Sequence, residues 1–227
     1  MSAEPSQSAS PLRTRLLTDK QYVNTITQVF GADISESVLP PIPPMERTGG
    51  LLASGAAFVG VTSDQISQIQ LAAATVAQKV VNEEHRDFLI PCSPESALAA
   101  DPVCAGLFLA EAGRLLLRGS MDETRLAQLV DVASYAAEQT EDFYDGLALA
   151  LEAILISPEF VFIVDSVEPD PERPAQQRLD SYSLASRLSF FLWNAAPDDA
   201  LLQAAENGEL HTPEGLAQSV DRLLAST

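Results

Sequence analysis

The sequence predicts an all-α fold, a multi-helix array of two packed helical domains with a long Pro/Gly loop. Apolar residues recur at steps of three and four along most of the 227-residue chain, which is the spacing of one helix face. Ser, Thr or Asp residues suited to N-capping precede these segments and indicate where the helices begin. No segment competes as an alternating strand, although residues 159–164, rich in Phe and Val, are also compatible with a short strand.

The chain opens with a segment that predicts no regular structure. Residues 1–14 are rich in Ser, Pro, Ala and Glu without hydrophobic periodicity, so we expect a flexible leader. This leader lacks the basic start and the apolar stretch of a signal peptide. The first helix follows it, because Thr18 and Gln21 form a capping box and Gly31 supplies a left-handed stop.

Residues 40–60 interrupt the helical pattern with four prolines and four glycines. Proline cannot sustain a helix and glycine leaves the backbone free, which predicts a long loop that is either functional or disordered. Concave helical sites favour loops and aromatic residues. The candidate ligand residues are therefore Gly49, Gly50, Ser54, Phe58 and, from the second domain, Trp193. The alternatives are a packing role for the loop and a core-anchoring role for the tryptophan.

The helical pattern resumes after the loop and completes a first domain, residues 15–165. This domain is predicted to contain two modules, residues 15–90 and 91–165. In the first module, a second capping box at Thr62 and Gln65 opens a long helix with a continuous apolar stripe.

Three more helix starts are visible in the second module. Asp101 is a suitable N-cap with Pro102 at the first helical position. A third capping box is expected at Ser120 and Glu123. Residues 143–156 are the most apolar segment and are therefore expected at the centre of the core.

Residues 166–178 are predicted to be a linker, because prolines alternate with charged residues and no apolar position recurs. Residues 179–227 then begin a second helical domain, whose last helix is amphipathic. Its apolar stripe consists of Leu216, Val220, Leu223 and Leu224. Since an uncovered apolar stripe favours a binding partner, these four residues are the candidate partner interface. We expect the domain to continue in a missing part of the protein or to be covered by a partner chain.

The charge of the chain excludes several classes of function. There are 32 acidic residues against 13 Lys and Arg, which gives a formal charge of −19. Phosphate binding needs a basic patch, so a nucleic-acid partner is not expected. No apolar run has the length of a membrane span. The acidic residues indicate a solvated surface, with a surface that docks a basic partner and weak calcium sites as the alternatives.

The two cysteines, Cys92 and Cys104, lie 12 positions apart around a Ser/Pro/Asp loop. An even pair without a further thiol favours a disulfide and hence an oxidising, extracytoplasmic compartment. The alternative is a pair of buried free thiols in a cytosolic protein. Two cysteines without a nearby histidine are too few ligands for zinc, and no Cys-x-x-Cys-His motif is present to attach a c-type haem.

The sequence contains no catalytic constellation. His85 follows Glu84 directly, and neighbouring side chains diverge on a helix, so a solvated helix end is the better interpretation than a metal site. His211 precedes a helix start and is interpreted in the same way. Neither a nucleophile elbow nor a phosphate loop occurs, and the catalytic residues are therefore unknown and enzymatic activity stays undecided.

Three stretches of the chain form a familiar pattern in a fixed order. The first stretch runs from Arg15 to Gly31. The second begins at Cys104, runs to Phe162 and contains the pattern Leu-x-Ser-Pro-x-Phe at residues 155–160. The third and most specific runs from Leu179 to Trp193 and continues with residues 197–202. Together they resemble a planctomycete-type, cytochrome-c-associated family of large multi-domain bacterial proteins of unknown function, although the turn at 115–118 is less basic than the corresponding turn of that family.

The resemblance implies export to the periplasm and a c-type haem in a partner or in a missing module, with no cofactor in this chain. Our leading hypothesis is a helical N-terminal part or subunit of an exported redox-linked protein that acts with a c-type cytochrome. One alternative is a non-enzymatic helical scaffold that binds another protein chain. A weaker alternative is a cytosolic helical adaptor with reduced cysteines.

Overall fold

Helices form most of the residues that this computed structural model describes, which are 14–36, 38, 42, 61–119 and 121–226. The first eight are α1 (Asp19–Phe30), α2 (Ala32–Ser35), α3 (Ser63–Val81), α4 (Arg86–Leu89), α5 (Pro102–Leu116), α6 (Glu123–Thr140), α7 (Phe143–Leu155) and α8 (Pro158–Val161). They are followed by α9 (Ser181–Leu192), α10 (Asp199–Glu206), a 3-10 turn (Glu209–His211) and α11 (Pro213–Ala225). The prediction of an all-α fold is confirmed.

Two antiparallel pairs of very short strands accompany the helices over the described ranges. The first pair joins β1 (Arg15–Leu16) to β2 (Phe162–Ile163), and the second joins β3 (Val167–Pro169) to β4 (Gln177–Leu179). The segment 159–164 therefore contains both a helical turn and a strand. None of the helices in these ranges combines the length and the apolar character that crossing a membrane requires.

Two of the three predicted capping boxes are present. In α1 the Thr18 hydroxyl accepts a hydrogen bond from Gln21 N–H at 3.2 Å, and the Gln21 amide oxygen accepts one from Thr18 N–H at 3.0 Å. The same exchange opens α3. The third prediction is wrong, because α6 begins two residues later with Asp122 as N-cap, whose carboxylate accepts from Arg125 N–H at 2.8 Å. Ser120 lies outside the described residues.

Helix α7 occupies the centre of the larger core, as its apolar sequence predicts. It contacts α3, α5 and α6, and Leu147, Leu151 and Leu155 are fully buried. Gly146 allows the close crossing with α6, since a Cβ at that position would lie 2.3 Å from the Ala133 carbonyl oxygen. The crossing therefore depends on the absence of a side chain at one residue.

The segment predicted as a linker contains the hairpin of β3 and β4. The side chain of Asp170 orders its turn: Oδ1 accepts from Glu172 N–H at 2.9 Å, and Oδ2 accepts from Arg173 Nε at 2.9 Å. Asp170 is buried despite its charge. Local hydrogen bonds thus order this proline-rich stretch in place of a hydrophobic core.

A second, smaller core lies beyond the hairpin. Its buried members are Ala185, Leu201, Ala205, Leu210 and Leu223. Arg222 of α11 donates two hydrogen bonds to Asp198, at 2.7 and 2.9 Å, and so ties the last helix to the N-cap of α10. Phe190 and Ala196 belong to the larger core instead, so α9 is shared between the two helical units.

Polar side chains of α1 join the two units by bonding the backbone of residues 194–196. The Thr25 hydroxyl accepts from Ala196 N–H at 3.2 Å, and the Gln28 amide donates to the Ala196 carbonyl at 2.8 Å. The Asn24 amide donates to the Asn194 carbonyl at 3.2 Å. These bonds need one particular path of the 194–196 turn and therefore fix how the second unit sits on the first.

Candidate functional site

A groove of about 880 Å³ lies between α5, the start of α6 and α10. Its floor is the outer face of α5, where Val103 is 75% exposed and Leu107 is 55% exposed. Leu115 and Leu126 line it further along and are half-buried. The groove is thus an apolar surface between elements of both helical units.

The apolar floor follows from the composition of α5, which is apolar on more than one face. One face carries Cys104, Phe108 and Leu109 into the larger core. Val103, Leu107 and Ala110 recur at steps of four and three on the other side, where they line the groove. A helix that is apolar all round normally has neighbours on all sides, and this second stripe is the signal from which the sequence could have predicted the groove.

Carboxylates line the rim of the groove. Glu111 of α5 and Asp199 and Glu206 of α10 are exposed at its edge. Arg114 spans the groove and forms ion pairs with Asp199 and, at 3.7 Å between Nη2 and Oε2, with Glu206. With three carboxylates and one guanidinium, the rim keeps a negative charge.

The N-terminal end of the groove floor is held by the predicted disulfide. Cys92 and Cys104 are bonded, with their Cα atoms 5.6 Å apart, which confirms the pairing. Asp101 caps the same helix end by accepting from Val103 N–H at 3.1 Å and Cys104 N–H at 2.9 Å. Backbone hydrogen bonds, first from Cys104 and then from Glu95, lower the pKa of Asp101. The exposed Val103 is therefore carried by a rigid helix start.

Arg118 joins the parts of the chain behind the groove. Its buried guanidinium donates to the carbonyl oxygens of Phe160 at 3.1 Å and Phe162 at 2.8 Å, and also to those of Leu116 and Glu159. The guanidinium carbon lies 5.8 Å from the centre of the Phe190 ring. Burial lowers the pKa of Arg118 to about 10. The arginine contacts the Ser-Pro-x-Phe turn and α9, so it positions these elements relative to each other.

The first of the three family-like stretches, Arg15 to Gly31, contacts the same Ser-Pro-x-Phe turn through aromatic packing. Tyr22 meets Phe160 edge to face, with ring centroids 5.4 Å apart and an interplanar angle of 68°. Arg118 therefore connects the second and third stretches, and Tyr22 adds the first. Sequence reasoning missed Arg118, whose only signal was its place in the turn that follows an apolar helix.

The structure places the predicted ligand residues as follows. Gly49, Gly50, Ser54 and Phe58 lie outside the described residues. Trp193 donates from Nε1 to the Leu223 carbonyl oxygen at 2.8 Å, and the Arg222 guanidinium carbon lies 5.7 Å from the centre of its ring. It packs against the smaller core and is not among the residues that line the groove between α5 and α10. Trp193 thus anchors α9 to α11.

The predicted interface stripe on α11 is divided between core and surface. Leu223 is fully buried in the smaller core, so it is not available to a partner. Leu216 and Val220 are half-buried, and Leu224 is exposed. Leu223 and Leu224 are neighbours in the helix and point in different directions, whereas the predicted stripe placed both on one face.

Within the described ranges no group of three or more His, Cys, Asp or Glu residues is arranged to hold a metal ion. His85 Nδ1 lies 2.8 Å from the Asn82 side-chain oxygen at the end of α3. His211 Nε2 lies 3.5 Å from Glu168 Oε1, which also pairs with Arg178 at 2.6 Å. Both histidines thus lie beside polar groups of loops and turns.

These features define a helical protein with a groove between two units. Two family models match it. Residues 104–165 match a protein of unknown function, DUF1595, and residues 179–227 match another protein of unknown function, DUF1592. Each model covers less than half of the chain, and no curated protein and no solved structure matches. The floor of the groove falls largely in the first matched segment and its α10 wall in the second.

Proposed function

We propose that this chain is the helical docking part of an exported protein and that it acts by binding another polypeptide in the groove between α5 and α10. The observation that carries the proposal is the exposure of Val103 and Leu107 on a rigid helix beside a rim of carboxylates. Apolar surface flanked by charge is typical of a protein-binding site. The partner is a separate chain or a further part of the same protein.

Within this proposal the partner is a c-type cytochrome, and the whole assembly is redox-linked. The support is the formal charge of −19, which favours fast association with a basic protein. The haem belongs to the partner or to a further module. In the second candidate function, the chain is a non-enzymatic scaffold for a partner without a haem, and the same groove supports it.

A fluorescence titration tests the docking and the partner together. Trp193 is the only tryptophan of the chain, so a bound haem quenches a single emitter. We expect saturable quenching by a basic c-type cytochrome at low salt, weakened as salt screens the charges. The double variant Glu111→Gln/Glu206→Gln should weaken binding several-fold.

The matched control is Glu138→Gln/Glu214→Gln, which removes two exposed carboxylates that do not line the groove. It should leave the titration nearly unchanged. Equal weakening by both double variants, or equal quenching by an acidic c-type cytochrome, would contradict docking in the groove.

The extracytoplasmic location is tested through the disulfide. The Cys92–Cys104 bond persists in an oxidising compartment such as the periplasm. Thiol titration of natively expressed protein under denaturing, non-reducing conditions should therefore detect no free thiol. Two free thiols per chain would support the cytosolic adaptor and remove the export proposal.

A further inference from the structure

We propose that the occupant of the groove is an amphipathic α-helix of a partner protein, with apolar side chains on one face and Lys or Arg along its edges. The inference rests on the proposed docking function and names the kind of segment that docks. It follows from the backbone chemistry of the groove, from its shape and from its charge.

The backbone chemistry of the groove selects a helix. Helices wall it, and most of their backbone groups are bonded within each helix, while the side chains of Asp101 and Asp198 cap the helix starts. An extended peptide would therefore find no open strand edge to pair with, and it would place its N–H and C=O groups against the apolar Val103 and Leu107. A helix satisfies its own backbone groups and can lie on such a floor.

The shape of the groove agrees with this occupant. Its lining runs along α5 from Pro102 to Leu115, a length of ~20 Å at the rise of an α-helix. Ala110 follows Leu107 on the floor and has a small side chain, which allows a second helix to approach α5 closely at that point. The groove is open along its length, whereas small-molecule sites enclose most of their ligand.

The negative charge of the rim indicates which side chains lie along the edges of the bound helix. Glu111, Asp199 and Glu206 leave the rim negative after Arg114 has been counted. Lys or Arg beside the apolar face of the occupant would meet these carboxylates. A second copy of this chain fits poorly, because it also carries a charge of −19 and the same face would oppose like charges.

The test uses the full chain and a labelled synthetic peptide of about 16 residues, long enough to form a helix. The peptide carries Leu at positions i, i+3, i+4 and i+7 and Lys on the flanking positions. Fluorescence anisotropy should show saturable binding that weakens with salt. A peptide of the same composition with its Leu residues scattered around the helix, and one broken by a central Pro, should bind at least about tenfold more weakly.

Two substitutions locate the peptide on the chain. Leu107→Asp places a charge on the floor and should weaken binding at least about tenfold. The matched control is Leu71→Asp on α3, where the leucine is 69% exposed and does not line the groove. Circular dichroism confirms that both variants are folded. Equal weakening by the two variants overturns the proposal.

Reversing a charge on the rim tests whether the edges of the bound helix are basic. Two peptides are compared on the same variant, so the result does not depend on a difference in folding. Glu111→Lys should weaken the Lys-flanked peptide and strengthen a peptide in which Glu replaces each Lys. Unchanged preference for the Lys-flanked peptide overturns the charge argument. Concentration-dependent dimerisation of the chain that Leu107→Asp abolishes would assign the groove to a second copy and also overturn the proposal.

The outcome separates this inference from the proposed function. If no amphipathic peptide binds but cytochrome binding still depends on Glu111 and Glu206, docking stands and the helical occupant is wrong. If neither the peptide nor the cytochrome binds, both proposals fall.

Discussion

The two helical units differ in how they are held together. The first buries large side chains from several helices around α7, including Tyr22, Leu151 and Phe160. The second has a small core of five buried residues, two of which are alanines. A unit as short as residues 179–227 has difficulty forming a sufficient hydrophobic core alone. The second unit therefore depends on the first for its stability. The rigidity of the groove between them depends in turn on the contacts at their junction.

The junction combines contacts of different kinds. Phe190 of α9 enters the larger core, Thr25 and Gln28 bond the 194–196 backbone, and Arg187 pairs with the buried Asp165 at 2.7 Å. Apolar burial supplies much of the free energy of such a junction, whereas backbone hydrogen bonds select one geometry. Trp193 fluorescence reports the second unit and far-ultraviolet circular dichroism mainly the first, so one urea titration follows both.

The largest effect is expected from Arg118→Met. The substitution keeps the aliphatic volume but leaves several carbonyl oxygens, including those of Phe160 and Phe162, without their donor. A buried acceptor left without a donor costs about 1–3 kcal/mol, and several are lost here while the cost of burying the charge is relieved, so we expect a net loss of about 4 kcal/mol of unfolding free energy. Both optical signals should shift, since the arginine contacts α8 and α9.

The control for Arg118→Met is Arg125→Met. Arg125 contacts the carboxylate of Glu159 at 3.2 Å near the surface, whereas Arg118 contacts the carbonyl of the same residue inside. Surface ion pairs contribute about 0–1 kcal/mol. Equal losses of unfolding free energy in the two variants would show that the buried hydrogen bonds of Arg118 stabilise the protein no more than a surface ion pair does.

The next effect concerns the adjacent pair Phe190 and Phe191. Phe190 is buried in the larger core, while Phe191 is 85% exposed. Phe190→Ala should cost about 3 kcal/mol and should separate the fluorescence transition from the circular dichroism transition, because it loosens the second unit first. Phe191→Ala should change stability by less than about 0.5 kcal/mol. Coincident transitions in Phe190→Ala would mean that the two units unfold as one.

A smaller effect is expected from Thr25→Val, which is close to isosteric. It leaves the buried Ala196 N–H without its acceptor, which should cost about 1–2 kcal/mol, mostly in the fluorescence transition. Thr75→Val is the control, because that hydroxyl bonds only the Leu71 carbonyl of its own helix in the described residues. A loss of the same size in both variants would assign the effect to helix propensity.

The sequence predicts those features that depend on local interactions. The capping boxes at Thr18 and Thr62 and the central α7 are local patterns, and the disulfide follows from there being two cysteines. The third box failed because Asp122, nearer the helix, offers a stronger acceptor than Ser120. Arg118 and the α10 wall of the groove depend on contacts between residues distant along the chain, so the apolar floor on α5 is the only part of the groove that left a signal in the sequence.

The hairpin and Leu223 show the same limit. Residues 166–178 contain no apolar repeat, yet Asp170 orders their turn with its own carboxylate. Leu223 lies in a stripe with Leu224, and only the packing of α9, α10 and α11 decides which leucine is buried. Periodicity predicts a helix face, but the neighbours determine what covers it.

The last prediction concerns the hydroxyl of Tyr22 in the first unit. Removing it should have the smallest effect on stability at neutral pH but a clear effect at high pH. Its hydroxyl is buried with no hydrogen-bond partner among the described residues. Burial raises the pKa of Tyr22 well above its ordinary value of 10.0. The unfolded chain therefore loses this proton at lower pH than the folded chain, so Tyr22 stabilises the fold fully below about pH 10 and progressively less above it.

Tyr22→Phe removes that titration without removing a hydrogen bond seen in the described residues. Urea unfolding at about pH 7 should change by less than about 0.5 kcal/mol, whereas near pH 11 the variant should be the more stable protein. All other side chains are the same in the two proteins, so their contributions cancel in the comparison. The exposed Tyr135→Phe should show no such difference. A Tyr22→Phe variant that loses stability equally at both pH values would indicate that the hydroxyl has a hydrogen-bond partner and would contradict this prediction.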